Sequence, residues 1–374
     1  MTQAREAMGL SRTALADQLA LSKQAISRYE RNEDNPTYPV LEEIAKTLHQ
    51  NAEFFLRPLR TIDRQENVFY RRLKKVKKAE LKKVAIWKEW YEELIELLSR
   101  HLELPALNLP PHLFVPHDPM QIDMAEIEQA ALLLREHWNL GQRPIGNLVR
   151  QMERNGLLVA RFNFDVAGVD GFSLRCASAP ISLIALNTVK SNAFRSRFDA
   201  AHELGHHILH QSVTWEMMQD PAIHEEVERQ AHRFASAFLM PMDSFRDDLF
   251  TYKLETLVAV KERWNVSISA ILYRMKDMGL INDDEHKEMR KAMSGRRWIT
   301  EEPLDAESVP EKPALLAQAV ETLVDQAGFS KQDVIDDLNL RPTIVEQLAG
   351  LPFGYFEQPE RHSLPVTNLR IHGA

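Results

Sequence analysis

One short stretch carries the residue types that could do chemistry. Residues 199–210 read DAAHELGHHILH, setting His202 and His206 four apart, with Glu203 between them and His207 and His210 close behind. Residues four apart share a helix face, so both imidazoles can offer a ring nitrogen to one ion. Glu203, beside the first histidine, would stand where it can take a proton from a water molecule that the ion acidifies. Zinc lowers the pKa of such a water toward about 7, so this pairing could make a nucleophile at neutral pH. The chemistry implied is hydrolysis.

The bare five-residue pattern also arises by chance, and its setting has to decide. Ala200, Ala201, Leu204, Gly205, Ile208 and Leu209 are small or apolar, as a buried helix requires. A buried helix does not carry three polar residues on one side unless something satisfies them. Gly205, a poor residue inside a helix, makes sense where another backbone must pack close. A metal is the better reading. Catalytic zinc usually holds three protein ligands and keeps one position open. The third is sought in EEVERQAHRFASAFLM, an apolar helix stopped by Pro241. Glu228 is followed on the buried stripe by Ala231, Ala235 and Phe238, Glu225 lies on that stripe one turn earlier, and Glu226 falls off it. His224 and His232 are rivals, and periodicity alone leaves the choice open.

Other elements must hold these two helices in place. NGLLVARF, GFSLRC and PISLIALN are short strand candidates bounded by Gly, Asp and Pro, preceded by helices at about 122–138 and 145–154. Residues 181–186 could pair with an extended substrate peptide, although a core strand is the simpler expectation. Residues 251–292 are expected to be helical, with LETLVAVKERWNVSISAILYRMKDMGLI shaped like a small helix-turn-helix. Two helices are expected over 314–350, and no clear pattern marks the last twenty residues. A long amphipathic helix is expected over 80–102, and the proline-rich LPALNLPPHLFVPHDP at 104–119 reads as a linker.

The first fifty residues imply a different activity. Ser11 and Ser22 are N-caps for two short helices, Asn32 suits a left-handed C-terminal cap, and Leu15, Ala16, Leu19, Ile26, Tyr29 and Leu41 are the expected core. Helix, short turn, helix at this spacing is a DNA-binding pattern. Lys23, Gln24, Ser27 and Arg28 would face outward from the second helix, Gln suiting adenine and Arg suiting guanine or phosphate. Arg12 and Thr13 open the preceding helix where backbone phosphate would lie.

Both regions resemble known families. "FRSRFDAAHELGHHILH" followed by "VERQAHRFASAFLMP" resembles the ImmA/IrrE family of zinc metallopeptidases, with its R-x-R-F lead-in to H-E-L-G-H and its later E-x-x-A-N-x-F-A-x-x-L-L-M-P. The likeness covers roughly residues 122–300. It implies His202, His206 and Glu228 as zinc ligands (manganese being the alternative ion) and Glu203 as general base. His232 stands where that family usually has Asn, and Phe238 where it usually has Leu. His207, His210 and His232 are then candidates for supporting a ligand from behind. "LADQLALSKQAISRYERNEDNP" resembles the XRE, or lambda-repressor-like, helix-turn-helix family over about residues 3–60, with Ala20 in place of the common turn glycine. This second resemblance implies double-stranded operator DNA as a partner, bound as a homodimer for affinity. The first implies a protein substrate, such as a transcriptional repressor. The rival reading is a transcription regulator or toxin–antitoxin component whose metal site is a sensor.

Length and composition fit this picture. A chain of 374 residues exceeds one ordinary core. The fold expected is mainly α with a small β-sheet (α+β): a helix-turn-helix domain at 1–60, a basic helix and Pro-rich linker at 61–120, a zincin-like domain at 121–300 and a helical extension at 301–374. No apolar run approaches the roughly 18–20 residues that span a bilayer, and the N-terminus lacks the apolar core of a signal peptide. A single cysteine, Cys176, excludes an internal disulfide and a Cys-rich zinc site. A cytoplasmic protein with no membrane partner is expected. Net charge is −8, yet nine Lys/Arg face one acid over residues 71–88, a local patch that suits phosphate or a solvated helix face equally.

Overall fold

The computed structural model describes residues 1–57, 69–72, 78–111, 113, 118–163, 169–176, 181–188, 192–214, 216–358 and 370–371. Four short helices open the chain: α1 (Thr2–Ala7), α2 (Arg12–Gln18), α3 (Lys23–Glu30) and α4 (Tyr38–Thr47). The hydroxyls of Ser11 and Ser22 accept from the N–H groups of Ala14 and Ala25, capping α2 and α3. Ala20 and Asn32 make the turns after these helices in the left-handed conformation, at φ 52° and 56°. Asparagine tolerates that region, whereas alanine is strained there by roughly 1–2 kcal/mol.

A short strand, β1 (Phe69–Arg72), leads to the 24-residue helix α5 (Lys78–His101) and to β2 (Leu102–Glu103). Next come α6 (Met124–His137), α7 (Leu148–Arg154), β3 (Leu157–Phe162), β4 (Val169–Arg175) and β5 (Ser182–Asn187). They are followed by α8 (Ala193–Leu209), α9 (Pro221–Leu239), α10 (Met242–Asp247), α11 (Leu254–Trp264), α12 (Ile268–Asp277) and α13 (Asp283–Gly295). The chain then forms α14 (Leu315–Asp325), α15 (Lys331–Leu338), α16 (Pro342–Ala349) and β6 (Arg370–Ile371). The fold is α+β and mainly helical. Residues 314–350 hold three helices rather than the two expected, because Ser330 and Asp333 form a capping box that restarts the helix and left-handed Asn339 ends it. Residues 370–371, in a stretch without sequence pattern, pair with β2.

The sheet runs in the order β1-β4-β5-β3. β5 lies parallel to β3 and antiparallel to β4, so both of its edges are taken. An extended peptide cannot pair with residues 181–186, and the core-strand expectation holds. The sheet is a wall between two apolar cores. Leu158, Ala160, Phe162, Phe172, Leu174, Leu183 and Ala185 face a core shared with α1–α5 and α14–α16. Leu157, Val159, Ile184 and Leu186 face the other, built with α6–α9, α11 and α12.

The apolar face of α5 and two lysines of the basic run are engaged within the chain. Trp90, Tyr91, Leu94, Ile95, Leu97 and Leu98 of α5 are fully buried, so that face is not available to a second copy. In the basic run, Lys82 pairs with Glu6 and Lys88 with Glu92. Lys74, Lys75 and Lys77 and the side chains of Arg71, Arg72 and Lys78 lie outside the described residues. The described part of the proline-rich stretch is packed down: Leu107, Leu109 and Leu113 join the second core, and a Cβ on Gly156 would lie 1.9 Å from the Ala106 carbonyl oxygen.

Candidate metal centre

Helices α8 and α9 pack tightly because Gly205 lets them. A Cβ at that position would stand 3.1 Å from Phe234 Cδ1 and 3.2 Å from the Ala231 carbonyl oxygen, so the glycine serves the close approach that the sequence suggested. The base of α8 is fixed by Arg197 of the R-x-R-F lead-in, whose guanidinium donates to Glu311 and to the carbonyls of Ile145 and Gly146. His202, Glu203, His206 and His207 are buried on this helix, and His210 is buried at its C-cap.

Three donors converge between the helices. His202 Nε2 and His206 Nε2 lie 2.9 Å apart, and the two Glu228 oxygens each stand 3.5 Å from one of them. All three ligand atoms fall within 4.8 Å of one another. A tetrahedral ion with bonds of about 2.0–2.1 Å would separate its donors by roughly 3.4 Å, so two imidazoles and a carboxylate at these spacings fit a small divalent cation. Among the described residues no other His, Cys, Asp or Glu cluster converges in this way. Burial would raise the Glu228 carboxyl, yet the facing His202 and His206 hold it well below the usual carboxylate range.

The rivals for third ligand lie elsewhere. Glu225 is exposed, while Glu226 accepts from Arg229 and Gln230. His224 is half-buried and outside the cluster. His232 is exposed, its ring 4.7 Å from the His202 ring and 5.5 Å from Phe198, so it packs against His202 without joining the three donors.

The remaining histidines point in different directions. His207 Nε2 lies 2.7 Å from Ser182 Oγ, tying α8 to the start of β5 and leaving no path to the cluster. His210 Nδ1 lies 2.9 Å from His206 Nδ1, and its Nε2 lies 2.9 Å from Gln230 Oε1. Burial pushes both down to about 3, helped by Arg175 at His207 and by His206 at His210.

Sequence reasoning missed Gln230 and Gly171. A Cβ on Gly171 of β4 would stand 3.3 Å from Glu203 Oε1 and 3.0 Å from the Ala185 carbonyl oxygen, so only a glycine there leaves the Glu203 carboxylate its room. A glycine in mid-strand was the available signal. Gln230 carried none, being one more polar residue beside a charged helix face.

The second candidate surface is open. Thr13, Lys23, Gln24 and Arg28 are exposed on α2 and α3, and Ser27 is half-buried. Arg12 is exposed but bonded to Glu30, which also holds Arg5. Burial would raise the Glu30 carboxyl, but these two guanidinium groups keep it low. The pair α11–α12 has the helix-turn-helix form but a closed end. Glu302 accepts from the N–H groups of Ile268 and Ser269, and buried Lys261 donates to Glu302 and Asp305. A carboxylate already sits where a phosphate would bind.

Comparison with known families agrees with this division. Residues 152–276 match a peptidase family model described as IrrE N-terminal-like domain, and residues 1–55 match one described as Helix-turn-helix. No curated protein matches the chain.

Proposed function

We propose that this chain, an XRE-like helix-turn-helix domain fused to an IrrE-like peptidase domain, is a regulatory zinc endopeptidase that works beside operator DNA. The observation that carries the reading is the convergence of His202, His206 and Glu228, with Glu203 following His202 on the same helix. His202, His206 and Glu228 would hold the ion. When bound, zinc would acidify a water molecule and polarise the carbonyl of a peptide bond. Glu203 takes the proton of the attacking water and passes it to the departing amine. Gly171 gives that carboxylate its room, and Gly205 keeps the Glu228 helix near enough to close the site.

The substrate in this reading is a transcriptional repressor. Lys23, Gln24, Ser27 and Arg28 would engage the major groove while Arg12 and Thr13 meet phosphate, holding the peptidase where such proteins sit on DNA. A second reading, a regulator whose metal site senses rather than cuts, is favoured by one observation: His202, Glu203 and His206 are at most 1% exposed.

The experiment is incubation of the purified chain with the repressor encoded beside its gene, with and without chelator. Cleavage that stops with chelator is expected. Glu203→Gln should keep zinc and lower cleavage about 10²–10⁴-fold. A variant that cleaves as well as the parent would refute the mechanism, and zinc uptake without cleavage by the parent would favour the sensor.

A further inference from the structure

Behind the three donors, a chain of hydrogen-bonding groups runs from His206 through His210 to the side chain of Gln230 on α9. Its far end has a fixed direction. Gln230 Nε2 lies 2.6 Å from the Pro119 carbonyl oxygen and 2.7 Å from Glu226 Oε1, both acceptors. Turning the amide over would set its oxygen against two other oxygens, so Nε2 stays on that side and Oε1 faces His210. A bare acceptor at 2.9 Å requires His210 Nε2 to carry a proton. A neutral imidazole protonated at Nε2 presents a lone pair at Nδ1. The neighbour 2.9 Å away, His206 Nδ1, must then be the donor, which leaves the lone pair of His206 on Nε2, facing His202 and Glu228.

We infer that Gln230 and His210 are positioning residues for the metal centre, holding His206 in the one tautomer and ring orientation that can bind an ion through Nε2. The inference rests on the metal-binding reading above and gives His210 a role that its neighbour His207 does not share. Helix α9 thus contributes twice within three residues, with Glu228 as a ligand and Gln230 as the anchor of another ligand. Groups that orient a ligating histidine through its second nitrogen typically change metal affinity about 10–100-fold when removed.

The test is zinc affinity of the full chain, read by competition with a chromophoric chelator, together with nitrogen-15 NMR of the histidine rings in zinc-free protein. His210→Leu should weaken zinc binding about 10–100-fold. His210→Asn, whose side-chain oxygen can accept from His206, should recover most of that loss. His207→Leu removes an equally buried ring from the same turn of α8 and should leave zinc affinity unchanged. The spectra should place the proton of His206 on Nδ1 and that of His210 on Nε2. Equal weakening by His210→Leu and His207→Leu would reduce the effect to lost packing and overturn the proposal. So would a His206 protonated on Nε2 in the zinc-free chain. A parent that takes up no zinc would sink the metal reading instead, and the ring spectra would still decide the direction of the chain.

Discussion

Helices α8 and α3 each present a short polar motif, but they present it to different media. On α8 every functional side chain is buried, each held by a neighbour from another element: Gly171 beside Glu203, Ser182 at His207, Gln230 at His210. On α3 the candidate side chains Lys23, Gln24 and Arg28 stand in solvent. A buried site is over-determined, so one wrong atom damages the whole arrangement. An exposed face acts by summing contacts, so each loss there is partial.

That contrast can be broken at several points. At neutral pH the largest effect on the fold is expected from Gly205→Val, which drives a branched side chain into Phe234 and the Ala231 carbonyl. Overpacking of this kind costs about 1–3 kcal/mol, read as a lower denaturation midpoint together with weaker zinc binding. Unchanged stability would mean that α8 and α9 are not as rigidly apposed as described.

The next effect is on acid stability. His207 titrates near 3 in the folded chain and near 6.5 when unfolded. Above 6.5 both states are neutral and its contribution is complete. As pH falls from 6.5 toward 3, the unfolded chain binds a proton that the folded chain refuses. Stability should therefore fall by up to about 1.4 kcal/mol per pH unit from this one group. Denaturant unfolding of zinc-free protein across that window should show a slope one proton shallower in His207→Gln.

On the exposed face, Lys23→Ala and Arg28→Ala should each weaken operator binding several-fold without changing the melting temperature. A residue on phosphate should also lower the salt slope by about 1, whereas one on a base edge should relax sequence preference. The smallest effect should come from Ala20→Gly, which relieves a left-handed alanine and should stabilise the chain by roughly 1 kcal/mol.

How much of this was legible depended on whether the signal ran along the chain or across it. The spacing of His202 and His206 on an apolar helix pointed to a candidate metal site, since buried polar groups at helical spacing need a partner. The caps Ser11, Ser22 and Asn32 fall where the sequence put them. The choice between Glu225 and Glu228 was not readable, because one stripe passes through both. Gly171 and Gln230 act on residues far away in sequence, and no periodicity reports such a distance. The closed end of α12 was equally hidden, since its blocking carboxylate, Glu302, arrives from a stretch with no secondary structure. The third helix in 314–350 was legible in the Ser330–Asp333 box, a cue that the helical pattern around it masked.

The sheet that walls one core from the other also sets a timetable for synthesis. Trp90, Leu94 and Leu98 of α5 share a core with Leu316, Val320 and Leu323 of α14, which the ribosome makes long afterwards. At roughly 5–20 residues per second, the nascent chain would carry α5 for about 10–40 s before α14 exists to cover it. During that interval the part of α5 that α14 covers stays open, while Trp90 already packs on Phe54, and a transcript cut short before α14 would leave that part open permanently.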